Sequence, residues 1–167
     1  MTTIVPPASH RVLFLKAMES LLGAPVVWGA KGPDAFDCSG SVTFSLKKVG
    51  GPDLTKTDNA QALHDETRAL GTPTTEHPLP GDLVFYGVYE GQGDAQKVHI
   101  IHVAVVDEYG GVISADGATS SIKSLQQAIA NPHNRVTRHA LIRYRKDCPV
   151  VVVHRNTLVD NLDLVSR

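Results

Sequence analysis

Residues 99–115 read HIIHVAVVDEYGGVISA. Residues 99–108 are apolar on both alternating faces, which predicts a central strand covered on two sides. Gly110 and Gly111 make a tight connection, and VISA at 112–115 predicts the return strand of a hairpin. Upstream, LPGDLVFYGV at 79–88 is a turn followed by a β-branched and aromatic run, a further strand. Downstream, residues 121–130 suit a short helix. Residues 136–144 suit a strand with His139, Leu141 and Arg143 on one face and Ala140, Ile142 and Tyr144 on the other. PVVVVH at 149–154 predicts an extra edge strand, and the rest of the tail to residue 167 reads as a loose end.

The N-terminal half has a different texture. Ser9 is an N-cap candidate, Val12, Leu15, Met18 and Leu22 follow at helical spacing, and Gly23 and Pro25 stop the helix. APVVWGAKGPDAFD at 24–37 reads as a loop with a short extended piece. A second helix is expected from Cys38 to Val49, closed by Gly50 and Gly51. Its opening residues Ser39, Gly40 and Ser41 are small enough to allow close approach of backbone or ligand. Thr57 is read as the cap of a third helix ending at Leu70 and Gly71. Helices first and strands after predict an α+β fold, N-terminal helices on a mainly antiparallel sheet. Residues 1–167 read as a single domain.

Composition narrows the function. Sixteen basic against 17 acidic residues leave a formal charge of -1, which removes the electrostatic case for nucleic-acid binding and for a polybasic membrane contact. No apolar run approaches the ~20 residues of a membrane span. The opening MTTIVPPASHRVLFLKAMESLL is interrupted by Lys16 and reads as an amphipathic helix, not a secretory signal. The two cysteines form neither a CxxC pair nor a zinc-spaced cluster with histidines.

Cys38 stands apart from Cys148. It follows a Gly/Pro-rich loop and opens a helix, whose free N–H groups and partial positive charge favour thiolate over thiol. A thiol nucleophile needs a base, and His102 sits in the predicted central strand among Ile100, Ile101, Val103 and Ala104. Three residues away, His99 is expected on the opposite face of the strand. His10, His64, His77, His133, His139 and His154 read as solvated. Ser114 and Asp116 are both candidates to orient the base, the choice depending on hairpin register.

WGAKGPDAFDCSG, LPGDLVFYG and HVAVV, in this order over residues 24–116, resemble the NlpC-type papain-like cysteine peptidases that cut bacterial peptidoglycan stem peptides. The resemblance implies a papain-like fold with a core at about 24–145, leaving 149–167 without a role. It implies Cys38 as nucleophile, His102 as base and Ser114 at the third polar position, usually His in the family, with Asp116 as the alternative. It implies Asp37 and Ser39 as holding the N-terminal part of the stem peptide, with Trp28, a kept aromatic serving mainly the core, as a further substrate-binding residue. Gln61 matches a family glutamine but reads as an exposed helix residue. Val26 replaces a tyrosine that lines the family's site, and Ala30 replaces the second glycine of its Trp-Gly-Gly.

The activity so implied is hydrolysis of a D-γ-glutamyl–diamino acid bond through an acyl-thioester, with no metal or organic cofactor. The partner is the stem peptide, with phage structural proteins as further candidates. Without a signal, the chain is expected to reach the wall as a phage-type lysin or within a virion, or else to trim imported muropeptides in the cytoplasm. Two rivals stand beside this: a structural or wall-binding module of a phage assembly that has lost activity, and an amidase or acyltransferase using the same thiol.

Overall fold

The computed structural model describes residues 8–57, 59–117 and 120–165. Its helices are α1 (His10–Glu19), α2 (Cys38–Lys48), α3 (Ala60–Ala69), α4 (Leu125–Ala130) and α5 (Thr157–Val165). The strands are β1 (Leu83–Glu90), β2 (Lys97–Val106), β3 (Val112–Ala115), β4 (Val136–His139) and β5 (Val150–His154). The strands form one antiparallel sheet in the order β4-β3-β2-β1-β5, with β2 at its centre as its two-sided apolar sequence requires. None of the helices among the described residues is long and apolar enough to cross a membrane.

Alternation along the strands sorts their side chains between two clusters. Leu83, Phe85, Val103, Val105 and Ile113 face α1, α2 and α3, and pack with Phe14, Met18, Val42, Leu46 and Leu63. Val84, Tyr86, Ala104, Val106 and Val112 face the other way and are covered by Ile142, Tyr144 and Cys148. So the sheet is buried on one side by helices and on the other by the segment 140–148. The Tyr86 hydroxyl pins that segment by donating to the Ile142 carbonyl at 2.7 Å.

Several sequence expectations need correction. Ser9 caps α1 as expected, but the helix ends at Glu19 and its buried stripe is Phe14, Leu15, Ala17 and Met18; Val12 and Leu22 are exposed. The cap of α3 is Asn59, which accepts from the Ala62 N–H at 2.9 Å, not Thr57. The strand expected over 136–144 stops at His139. β3 is four residues long, and its first residue, Val112, already pairs with His139, so β4 has no partner beyond it. Residues 140–144 turn across the sheet instead, and His139 and Tyr144, expected on opposite faces, stack on each other.

The tail is no loose end. β5 pairs with β1, and α5 buries Leu158 and Val159. Arg11 of α1 ties α5 down, donating to Asp160 at 2.7 and 2.8 Å and to the fully buried Asp82 of the PGD turn at 2.8 Å. Asp82 also accepts from the Leu79 and Asn156 N–H groups, so this acidic residue of LPGDLVFYG locks a turn. His154, read as solvated, is fully buried between Thr67, Thr72 and Phe85. Burial, helped by the charges of His64 and Arg68, lowers its imidazole to about 4, so it is neutral in the fold.

Candidate active site

The loop before α2 and the first turn of α2 are built as one piece. The Asp37 carboxylate caps the helix, accepting from the Gly40 N–H at 2.5 Å and the Ser39 hydroxyl at 3.1 Å. Its own N–H donates to the Ala30 carbonyl at 2.7 Å. The approach is so close that a Cβ on Gly40 would lie 2.1 Å from the Ala30 oxygen. Here the small residues of FDCSG serve backbone contact. Burial raises the Asp37 carboxyl against the opposing hydrogen bonds from Gly40 and Ser39 and the charge of Lys31. Cys38, the first residue of α2, is partly exposed on a cleft of about 600 Å³.

β2 reaches the same cleft through a bulge. Tyr86 pairs with His102 but Gly87 pairs with Ile100, leaving Ile101 as an extra residue. Two consecutive side chains, Ile101 and His102, therefore line the cleft. The bulge also overturns the expectation for His99: it pairs with Val88, two residues from Tyr86 and on the same face of β1, so His99 and His102 share a face. Gln61, read as an exposed helix residue, accepts from the Ile100 N–H at 2.8 Å and braces the bulge from α3. The β2–β3 ladder is two pairs long, Val105 with Ile113 and Val106 with Val112. Past that short ladder, Ala115 and Gly117 also line the cleft.

His102 is nearly fully buried, and its Nε2 lies 2.6 Å from the Ser114 hydroxyl, 3.1 Å from the Tyr144 hydroxyl and 3.3 Å from Asp116 Oδ1. With Nε2 taken by these oxygens, Nδ1 is the nitrogen left for the thiol. Burial by itself would lower the imidazole. The charge of Cys38, the hydrogen bond to Asp116, the hydrogen bond to Cys38 and the Asp116 charge outweigh it and raise the ring to about 9. The Asp116 carboxyl is also pushed up by burial, yet hydrogen bonds from His102, Tyr144 and His139 and the His102 charge hold it well below the usual carboxylate range. The cleft thus brings together a thiol, an imidazole kept charged and a carboxylate kept ionised, a set able to form and resolve an acyl-thioester.

Both candidates for the third position lie at the ring, Ser114 nearer than Asp116. Asp37 and Ser39 line the cleft beside Cys38. Trp28 lines it too and is 58% exposed, so it is no core aromatic. Val26 points the other way, fully buried in the helix-side core. Cys148 is buried under the outer face of the sheet, and burial raises its thiol. Sequence reasoning missed His139, Tyr144 and Arg145. The signal was the length of VISA: a four-residue strand cannot pair all of 136–144, so the rest must go elsewhere.

The sequence matches the NlpC/P60 family over residues 23–140. It is 38% identical over 96 residues to a probable endopeptidase of Corynebacterium glutamicum, covering 53% of this chain and 43% of that protein. It is 30% identical over 113 residues to the bifunctional muramidase/DL-endopeptidase CwlT of Bacillus subtilis, covering 66% of this chain and 31% of that one. The chain thus spans less than half the length of either relative. Among solved structures, NlpC1 from Trichomonas vaginalis superposes with a TM-score of 0.60 at 19% identity, over 90% of this chain and 45% of that one, a likeness of fold. With the family pattern matched over well over half of 167 residues and the same architecture in a solved neighbour, the chain belongs to the NlpC/P60 family.

Proposed function

We propose that the chain is a cysteine peptidase that hydrolyses peptidoglycan stem peptides at the D-γ-glutamyl–diamino acid bond, with Cys38 as nucleophile and His102 as base. The observation that carries this reading is His102, buried at the cleft with Cys38 on one side and Ser114 and Asp116 on the other. The Cys38 thiolate attacks the scissile carbonyl, and the C–S bond forms as the carbonyl electrons move to oxygen. The N–H of Cys38, at the start of α2, is the donor placed for that oxyanion. As the C–N bond breaks, the His102 imidazolium gives its proton to the leaving amine. Neutral His102 then takes a proton from water, whose oxygen attacks the thioester, and C–S cleavage returns the thiolate and imidazolium.

The relatives named as endopeptidases, and the DL-endopeptidase of Bacillus subtilis among them, support this class of bond. Asp37, Ser39 and Trp28, all on the cleft wall, are the proposed contacts to the stem peptide, and Arg145 adds a cation there.

The test is incubation with γ-D-glutamyl-diaminopimelate and γ-D-glutamyl-lysine peptides, wild type beside Cys38→Ala, with products read by mass spectrometry. Cleavage at that bond by wild type alone is expected. Equal cleavage by Cys38→Ala, or none by either on any stem peptide, overturns the reading. Running the assay on intact wall and on soluble fragments separates a lysin or virion component from a recycling enzyme.

A further inference from the structure

Beside His102, Asp116 meets two residues that neither the family pattern nor the mechanism above uses. The rings of His139 and Tyr144 are stacked, their centroids 3.7 Å apart and their planes 7° apart. The Tyr144 hydroxyl is 2.7 Å from Asp116 Oδ1 and 3.0 Å from Ser114 Oγ, while His139 Nε2 takes the other oxygen, Oδ2. Both carboxylate oxygens are therefore held. We propose that His139 and Tyr144 are positioning residues for the base: as a stacked pair they clamp the Asp116 carboxylate in the orientation that reaches His102 through Ser114. This rests on His102 being the base.

Counting protons supports a chain with one direction. Each hydroxyl has a single proton. The His102 Nε2–H can be given to Ser114 Oγ, the Ser114 proton to Asp116 Oδ1 at 3.2 Å, and the Tyr144 proton to the same oxygen. His139 supplies Oδ2. Every donor then points toward the carboxylate, and the imidazolium is linked to a countercharge that it touches only at 3.3 Å. Asp116 follows the last residue of β3 and precedes Gly117, whose φ of 91° turns the chain away. Its side chain is 21% exposed, so without the clamp a rotation about χ1 would carry it into solvent. The clamp also gives the segment 140–148 a purpose: anchored by Tyr86 through the Ile142 carbonyl, it delivers Tyr144 to the ring.

The test uses Tyr144→Phe, which keeps the stack and removes the hydroxyl that Asp116, Ser114 and His102 share, His139→Ala, which removes the stack and the contact to Oδ2, and His139→Gln, which restores a donor to Oδ2. The readout is the His102 imidazole titration by NMR, assigned with His102→Ala, beside kcat and KM on the stem peptide and thermal unfolding. The groups facing His102 are Cys38 from α2, Tyr86 from β1, Ser114 and Asp116 at the end of β3, and Tyr144 with neighbouring Arg145 from the outer segment. All three variants leave Cys38 in place; Tyr144→Phe also takes away a hydroxyl 3.1 Å from His102 Nε2, whereas the His139 variants reach the ring through Asp116 and Tyr144 and so isolate the hold on the carboxylate. The expected result is a His102 midpoint lowered by about one pH unit in Tyr144→Phe and His139→Ala, kcat down about tenfold with KM unchanged, and recovery of both in His139→Gln. A midpoint unmoved in folded His139→Ala overturns the inference, whatever Tyr144→Phe shows. If Cys38→Ala or His102→Ala keeps full activity, it is the reading of the site that fails. Because the titration needs no substrate, the two failures are told apart.

Discussion

Gly40→Ala sets two effects of opposite sign against each other at the base of the nucleophile's helix. Replacing glycine by alanine inside a helix stabilises by up to ~1 kcal/mol, less in the first turn, where Gly40 lies. The new Cβ would sit 2.1 Å from the Ala30 carbonyl oxygen, 2.9 Å from Asp37 Oδ1 and 3.0 Å from Lys31 Cα. Ordinary contact needs roughly 3.2–3.4 Å, so loop and helix must part by about 1 Å at backbone, where no side chain can yield; such overpacking costs about 1–3 kcal/mol. The steric term wins, for a net loss of about 1–2 kcal/mol. At 167 residues that is a fall in Tm of roughly 2–8 °C. The shift also stretches the Asp37 N–H bond to Ala30 and tilts Cys38 relative to His102, so kcat should drop more than stability alone accounts for, by about a hundredfold for a misplacement near 1 Å. Circular dichroism melts and stem-peptide kinetics measure both. A Gly40→Ala protein that melts at or above the wild-type temperature would refute the close-approach argument.

Three further outcomes follow from other parts of the structure. Ser45 is fully buried in α2 and its hydroxyl has no hydrogen-bond partner among the described residues, so Ser45→Ala should raise stability by about 1 kcal/mol in urea unfolding; a loss of that size would reveal a partner. His154 is neutral in the fold at about 4 and titrates near 6.5 when unfolded, so its contribution is present above pH 6.5 and lost as pH falls; wild type should lose about 2 kcal/mol through this group between pH 7 and pH 5. His102 runs the other way, its stabilisation complete below about 6.5 and lost as pH rises through about 9, so the comparison is with His154→Leu, which should lack the acid loss; parallel pH profiles for the two proteins would contradict a buried neutral His154. Asp116→Asn should lower kcat by about a hundredfold and Ser114→Ala by about tenfold, because the alanine leaves Asp116 Oδ1 within 3.3 Å of the ring while the asparagine removes the charge. The reverse order would make the hydroxyl the orienting group.

What the sequence could and could not reveal divides along physical lines. The helices and strands around Cys38 and His102 were legible because their signals are local: a Gly/Pro-rich loop before CSGS, two-sided apolarity in HIIHVAVV, glycines between β2 and β3. The side on which His99 projects was not, because alternation carries across a strand only while the ladder is regular, and the bulge at Ile101 breaks it. Strand period in 136–144 and polarity in 155–165 failed for a related reason: whether β4 continues depends on the length of its neighbour, and whether the tail folds depends on Arg11, about 150 residues away. Tyr144 was invisible at the site because nothing near it in sequence says that the chain doubles back over the sheet.

That doubling back has an implication for how such a centre can diversify. The thiol is carried by the helical layer, while Ser114, Asp116, His139 and Tyr144 reach its partner ring from the end of β3 and the outer wrap, and Gln61 of α3 braces the bulge beside it. Changes along 140–148 then act on the surroundings of the ring from the face of the sheet opposite α2, where the helix-side core does not reach.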